Sequence, residues 1–235
     1  MQYVKIKDAI VEQIDAGMLA PRQKLPAERS LAESFGTTRV TLREALSLLE
    51  AEGRIYREDR RGWFISPEPL RYDPTQTLNF PNMARAQQRE PKTVLIAAKT
   101  SLADKLASRL LNLAPFSNVY RVDRVRYLED RPVVYVINYV RAERFPHLLD
   151  YDLTHSLTDI YREHYGVIYQ KTQYRISTST LLGNIAQALR ATSGTPAMVV
   201  ERTNYNQHGE LIDCDIEYWR HDAISIESVA ELTGR

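Results

Sequence analysis

The stretch Pro26–Glu52, PAERSLAESFGTTRVTLREALSLLEAE, constrains the fold of this chain more than any other. It has the pattern of two short helices about a tight turn. Leu31, Ala32 and Phe35 share one face of the first. Gly36 ends that helix, because glycine tolerates the left-handed backbone that a sharp turn often needs. Thr37 or Thr38 is placed to cap the second helix by accepting a hydrogen bond from its free backbone N–H groups. Leu42, Ala45, Leu46 and Leu49 then recur at the i, i+3, i+4, i+7 spacing of a buried stripe. Arg39, Val40 and Arg43 lie off that stripe, near the helix start.

The layout is a helix-turn-helix with its second helix turned outward. A helix N-terminus fits the major groove, its free N–H groups favour phosphate, and an arginine fork can bind guanine bidentately. Val40, apolar on a polar face, would find a partner in a thymine methyl. An arginine pair by itself is equally a solvated face, and single exposed apolar residues are common. Here turn, cap and stripe agree, and double-stranded DNA is the expected partner.

Composition narrows the rest. A chain of 235 residues with 43% apolar and 26% charged content is ordinary for a globular protein. Its net charge of +1 supplies no global basic field, so a nucleic-acid footprint must be built from placed arginines. Cys214 is the only cysteine, which excludes an intramolecular disulfide framework and a cysteine zinc site. Lys5, Lys7, Asp8 and Glu12 interrupt the N-terminus as a signal peptide would not be, and no apolar run approaches a membrane span. A cytoplasmic protein without membrane partner is expected. The five histidines show no metal-ligand spacing, and no Gly-x-Ser-x-Gly or phosphate-loop motif occurs. No metal, cofactor or catalytic residue is therefore expected.

Tyr3–Ala16 reads as a helix stopped by Gly17. After Gly53 the period changes: Ile55 and Arg57, the tip Glu58-Asp59-Arg60-Arg61-Gly62, and Trp63-Phe64-Ile65 read as a β-hairpin. Three helices followed by such a hairpin make a winged helix. Its tip can set Arg61 in a minor groove or on a phosphate, with Gly62 letting the backbone come close. A solubilising hairpin tip is the plainer alternative.

This order, with Leu-Pro-Ala-Glu-Arg, Thr-Arg-Val-Thr-Leu-Arg-Glu-Ala-Leu and a basic wing, resembles the GntR family of bacterial transcription regulators. Alanine stands at Ala27 where the family usually has serine. The resemblance implies a backbone contact by Arg29, base and phosphate contacts by Thr38, Arg39, Val40, Thr41 and Arg43, and a wing-tip contact by Arg61 and Gly62.

The DNA-binding domain is expected over 1–66, and a proline-punctuated linker with a short helix near Met83–Gln88 over 67–91. An α+β domain with a mostly antiparallel sheet is expected over 92–235. In it Val94–Ala98 is strand-like, and Leu102, Leu106 and Leu110 suggest an amphipathic helix over Ser101–Asn112. Val119–Tyr127 and Pro132–Tyr139 form a hairpin about Glu129-Asp130-Arg131. Ser156–Tyr165 is a helix closed by Gly166. Tyr174–Thr178 is a strand, Asn184–Arg190 a short helix, and Met198–Asn206 and Glu210–Arg220 the last strands.

Arg124 and Arg126 are two apart on one strand, so both point from one face. Asp213, Asp215 and Glu217 also share a face. If those faces line one cavity, it has cations at one end and carboxylates at the other, suited to a small zwitterion. The alternative is a solvated sheet face carrying cross-strand ion pairs.

Lys92–Asp222 resembles the UTRA effector domain of HutC-type GntR regulators, whose fold is like that of chorismate lyase. The resemblance rests on Arg-Val-Arg-Tyr, Arg-Pro-Val-Val, His155-Ser156-Leu157-Thr158, Leu189–Pro196 and Glu217-Tyr218-Trp219-Arg220-His221-Asp222. It implies effector contacts by Lys92, Thr93, Arg124, Arg126, Ser156, Thr158, Asp213 and Trp219, and by an inward residue of the second strand, Val136 or the polar Asn138; Asp215 joins them from the shared strand face. Segments such as Asp73-Pro74-Thr75-Gln76 and Arg89-Glu90-Pro91-Lys92-Thr93 are similar to those of PhnR-type regulators of 2-aminoethylphosphonate utilisation. The chain is thus expected to be a homodimeric, ligand-responsive repressor of phosphonate genes. Alternatives are another anionic effector, such as a sugar phosphate or amino acid, and an enzyme of chorismate-lyase-like fold fused to a DNA-binding domain.

Overall fold

The structure, a computed structural model, describes residues 1–76 and 78–229. The last six residues of the expected effector region, 230–235, lie outside them. Among the described residues no helix is long and apolar enough to cross a membrane. The chain divides into two compact units. Among the described residues the first comprises 1–71, 180–196 and 220–226; the second comprises 72–76, 78–179, 197–219 and 227–229.

The first unit opens with α1 (Gln2–Asp15), α2 (Glu28–Ser34) and α3 (Arg39–Ala51). Gly36 adopts φ +57° at the turn between α2 and α3. Thr38, rather than Thr37, is the cap: its side chain accepts from the Thr41 N–H at 3.2 Å. Leu42, Ala45, Leu46 and Leu49 are buried against Ile6 and Ile10 of α1 and Leu31 and Ala32 of α2. This stripe leaves the opposite face of α3 to solvent, with Val40 68% exposed. The wing is β1 (Ile55–Glu58) antiparallel to β2 (Gly62–Ile65). Trp63 and Ile65 close the core beneath it.

Two elements lie in the expected linker. β3 (Leu70–Tyr72) pairs with a late strand, and α4 (Phe80–Ala86) begins three residues before the expected helix. The Asn79 side chain caps α4, and Pro81 sits in its first turn, where a missing N–H costs nothing.

The second unit is built on β4 (Pro91–Leu102), β5 (Asn118–Leu128) and β6 (Arg131–Arg141), with α5 (Lys105–Leu111) between the first two. α6 (Leu157–Tyr165), β7 (Tyr169–Thr180), α7 (Gly183–Ala188), β8 (Pro196–Asn206), β9 (Leu211–Arg220) and β10 (Ile224–Ile226), the partner of β3, follow. The sheet order is β4-β5-β6-β9-β8-β7. The expected stripe Leu102, Leu106, Leu110 is corrected. Ser101 and Leu102 stay paired in the sheet, Leu102 is exposed, and Asp104 caps the helix by accepting from the Ala107 N–H at 2.8 Å. Its buried residues are Ala107 and Leu111. The β5–β6 turn is also tighter than expected. Glu129 and Asp130 both take positive φ, the requirement of a two-residue hairpin turn, and Arg131 is already in the strand.

Leu46 has no exposed surface and sits at the centre of the three-helix core. Leu46→Ala should lower unfolding stability by about 2–5 kcal/mol. Denaturant midpoints with an unchanged m-value will measure it, and a loss below about 1 kcal/mol would contradict this packing.

Candidate functional site

Register places the charged residues of the sheet. Arg124 pairs across β6 with Val136 and then Glu217, and Asn138 pairs with Asp215. Arg126 pairs with Val134, whose other neighbour is Trp219. One sheet face therefore carries Arg124, Arg126, Asn138, Asp213, Asp215, Glu217 and Trp219. β8 adds Arg202 and Asn204 beside them. A cavity of about 440 Å³ opens on this face, within the range of small-molecule sites.

The expected separation of cations from carboxylates does not occur; the two are interleaved. Glu217 Oε1 accepts from Arg126 Nη1 and from Arg202 Nη2, both at 3.0 Å. Arg202 Nε donates to Asp215 Oδ2 at 2.7 Å, and its Nη1 approaches the Tyr72 hydroxyl at 3.3 Å. Burial works against ionisation of Glu217, yet Arg202 and Arg126 hold its carboxyl below the usual range. The same contacts keep Arg202 charged despite its burial. Asp215 is pushed up by burial, with Arg202 opposing.

Arg124 differs from the other two arginines. Its fork donates to the carbonyl oxygens of Leu153 and His155 at 3.3 and 3.0 Å and to Asn138 Oδ1 at 2.8 Å, all neutral acceptors. Its Nε has no hydrogen-bond partner among the described residues. Burial, reinforced by Arg126, pulls its pKa down to about 9. Ser156, the N-cap of α6, lines the same space, with Thr158 and His155.

Of the residues expected to bind an effector, Thr93, Arg124, Arg126, Asn138, Ser156, Thr158 and Asp215 line the cavity. Lys92, Asp213 and Trp219 do not. Lys92 precedes Thr93 on β4, so strand alternation turns it to the other face, where it is exposed. Asp213 lies beneath the floor, accepting from the Tyr169 hydroxyl at 2.6 Å and Asn204 Nδ2 at 2.9 Å. Trp219 is fully buried and spends its indole N–H on Glu217 Oε2 at 2.8 Å. Its ring stands 6.2 Å from that of Phe80, which in turn lies 5.1 Å beneath the Arg126 guanidinium. Arg202, Asn204, Tyr72, Thr172 and Tyr174 line the cavity and were not anticipated. Arg202 and Asn204 carried the same two-residue spacing as Arg124 and Arg126, so their signal was present.

On the winged helix, Arg39, Val40 and Arg43 are exposed on α3, and Thr41 is half-buried beside its cap. Arg29 is held by Glu33 at 3.0 Å. Arg61 pairs with Glu58 at the wing tip, where Gly62 has φ +104°. Glu28, also not anticipated, accepts from Arg43 Nε at 2.7 Å and Trp63 Nε1 at 3.1 Å, tying α2, α3 and the wing together. Although part-burial opposes it, Trp63 and Arg43 hold the Glu28 carboxyl below its usual range.

Comparison with known proteins decides what these two sites belong to. Residues 2–65 match the family described as bacterial regulatory proteins, gntR family, and residues 86–225 match the UTRA domain. The chain belongs to the GntR family, in its UTRA-containing branch. This GntR/UTRA protein is 31% identical over 221 residues to the uncharacterized HTH-type transcriptional regulator YihL of Escherichia coli, covering 94% of each chain. It is 30% identical over 146 residues to the mannosyl-D-glycerate transport/metabolism system repressor MngR of Escherichia coli, over 62% of this chain and 61% of that one. Its fold matches the crystal structure of PhnF from Mycobacterium smegmatis with a TM-score of 0.68 at 24% identity, over 97% of this chain and 100% of that one. The GntR/UTRA protein is a ligand-responsive transcriptional regulator: its helix-turn-helix binds DNA, and its UTRA domain carries a small-molecule effector site.

Burial raises the carboxyl of Asp213 to about 6, against an ordinary 3.8. The native form thus keeps a proton that the unfolded chain has lost. The stability this contributes is complete below pH about 4 and is lost as pH rises through about 6. Asp213→Asn should flatten the fall of urea midpoints across that window relative to the parent. An identical slope would contradict the protonated buried carboxyl.

Proposed function

We propose that the effector of this GntR/UTRA regulator is a small anion whose phosphonate, phosphate or carboxylate is received by Arg124, with 2-aminoethylphosphonate the named candidate. The observation that carries this reading is the Arg124 guanidinium, which among the described residues is buried without a carboxylate partner and with its Nε left over. A buried cation among neutral acceptors is costly, and an anion that pairs with it recovers a charge-assisted, fork-shaped set of hydrogen bonds. Ser156 and the start of α6 add donors on the same side. Asn138 stands between Arg124 and Asp215, which pairs with it in register. Among the described residues Asp215 Oδ1 has only a long 3.4 Å contact from Asn204 Nδ2, so it can accept the ammonium of a zwitterion.

The protein acts as a homodimeric repressor that the effector releases from its operator. Two copies of α3 spaced one turn of DNA match a two-fold operator. Arg39, Val40, Thr41 and Arg43 read or position the major groove; Arg29 and Thr38 touch the backbone, and Arg61 and Gly62 the wing contact. The 1–66 segment binds DNA and 92–235 binds the effector, with 67–91 between them adding Tyr72 and Phe80 to the cavity wall. Output is binding rather than turnover.

A second reading follows from MngR, whose name couples a repressor to mannosyl-D-glycerate. Asn138, Asn204, Thr154 and Thr172 line the cavity and suit hydroxyl groups, so a carboxylated or phosphorylated sugar fits the same arginine.

Operator duplexes selected from random sequence supply the test. 2-Aminoethylphosphonate should weaken operator binding at a one-to-one stoichiometry per chain and be recovered unaltered. A response to mannosyl-D-glycerate or a sugar phosphate, without one to 2-aminoethylphosphonate, would replace the candidate. Product formation would establish an enzyme. Arg124→Met should abolish the ligand-induced rise in melting temperature while operator affinity without ligand is unchanged. A ligand shift that persists in Arg124→Met would move the anion site elsewhere. Arg43→Ala should cost about 1–3 kcal/mol on the selected operator; unchanged affinity would take Arg43 off the reading surface.

A further inference from the structure

The last sheet strand ends in a feature that neither site accounts for. β9 contributes Asp215 and Glu217 to the effector cavity and ends at Arg220, which belongs to the first compact unit. Arg220 is 1% exposed. Its two terminal nitrogens donate to backbone carbonyls, Nη1 to Leu189 at 3.0 Å and Nη2 to Arg57 of the wing at 2.9 Å. Its guanidinium also lies 5.5 Å over the ring of Tyr56. Tyr56 stacks on Phe64 at 5.4 Å with the rings 17° apart, and the Arg61 guanidinium lies 5.6 Å over Phe64. The result is a continuous column, Arg220–Tyr56–Phe64–Arg61, from the end of β9 to the wing tip.

Tyr56 and Phe64 face each other in the β1–β2 register, so their rings share one side of the wing. A cation over an aromatic ring is attracted by its π-electrons, and stacking holds the two rings together. Arg61 would otherwise sample many rotamers at the tip of a two-stranded hairpin. Glu58 and the Phe64 ring instead fix its guanidinium in one direction. Asp59, in the turn, donates its N–H to the Arg190 carbonyl at 2.8 Å, beside the Leu189 carbonyl that Arg220 holds.

We propose that Arg220, acting through the Tyr56–Phe64 stack, is the positioning residue that presents wing-tip Arg61 to DNA. This rests on the reading of Arg61 as a DNA contact.

A double-mutant cycle on the selected operator tests it with the full-length protein. Tyr56→Leu keeps apolar volume and removes the stack. It should weaken operator binding about two- to fivefold, the worth of one exposed cation–π contact. It should also reduce the salt dependence of binding by about one phosphate contact, as Arg61→Ala does. Tyr56→Phe should restore both. In an Arg61→Ala background, Tyr56→Leu should have no further effect, and Arg220→Lys should follow the same pattern. Multiplicative losses in the double variant would overturn the proposal, as would a salt slope that Tyr56→Leu leaves unchanged. If Arg220→Lys does not fold, the Tyr56 and Arg61 cycle decides alone. Wild-type affinity and salt slope in Arg61→Ala would overturn the wing contact itself, and the positioning role with it.

Discussion

A buried guanidinium that meets no carboxylate among the described residues is the constraint on which this structure turns. Three arginines and three acids share one face of the six-stranded sheet, and most of their charge is settled locally. Arg202 answers Asp215 and Glu217, and Arg126 answers Glu217. Asp213 is hydrogen-bonded by Tyr169 and Asn204 beneath them. Arg124 is left with carbonyl oxygens and an amide. Burying a charge without an opposite charge beside it is costly, and three neutral hydrogen bonds offset only part of that cost. Its cost is understandable as preorganisation: the donors are already oriented by β5, β6 and the loop before α6, so an anion meets a formed site.

The DNA-binding half follows a similar logic with smaller energies. Arg29, Arg43 and Arg61 are each held by a carboxylate on their own domain. Surface ion pairs of this kind contribute little to stability. Their effect is directional, because a tethered fork loses less freedom when it meets phosphate or guanine. Glu28 does this twice over, joining the recognition helix to Trp63 of the wing. A net charge of +1 is therefore compatible with DNA binding, since local placement replaces overall charge.

The winged helix was legible in the sequence because its signals are local. Gly36, a threonine cap and the Leu42–Leu49 stripe each act within a few residues. The interleaved charge layer was legible only in part. Two-residue spacing showed that Arg124 faces with Arg126, and Asp213 with Asp215 and Glu217, but which strands lie side by side depends on long-range pairing. Spacing alone therefore does not assign Arg202 and Asn204 to the cavity, nor does it show that Arg202 and Arg126 hold Asp215 and Glu217. Trp219 and Lys92 illustrate the limit at single-residue scale: one is spent on Glu217, and the other is turned away by strand alternation. The early start of α4 had a readable signal in Asn79 and Pro81 that proline-rich surroundings masked.

The most direct measurement of the central claim is a crystal structure of the protein with its bound effector anion. The account predicts an anionic oxygen within hydrogen-bonding distance of Arg124 Nε, with Ser156 on the same group and the Arg202–Asp215 pair intact. An effector bound with its anion on Arg126 or Arg202, and Arg124 untouched, would contradict it.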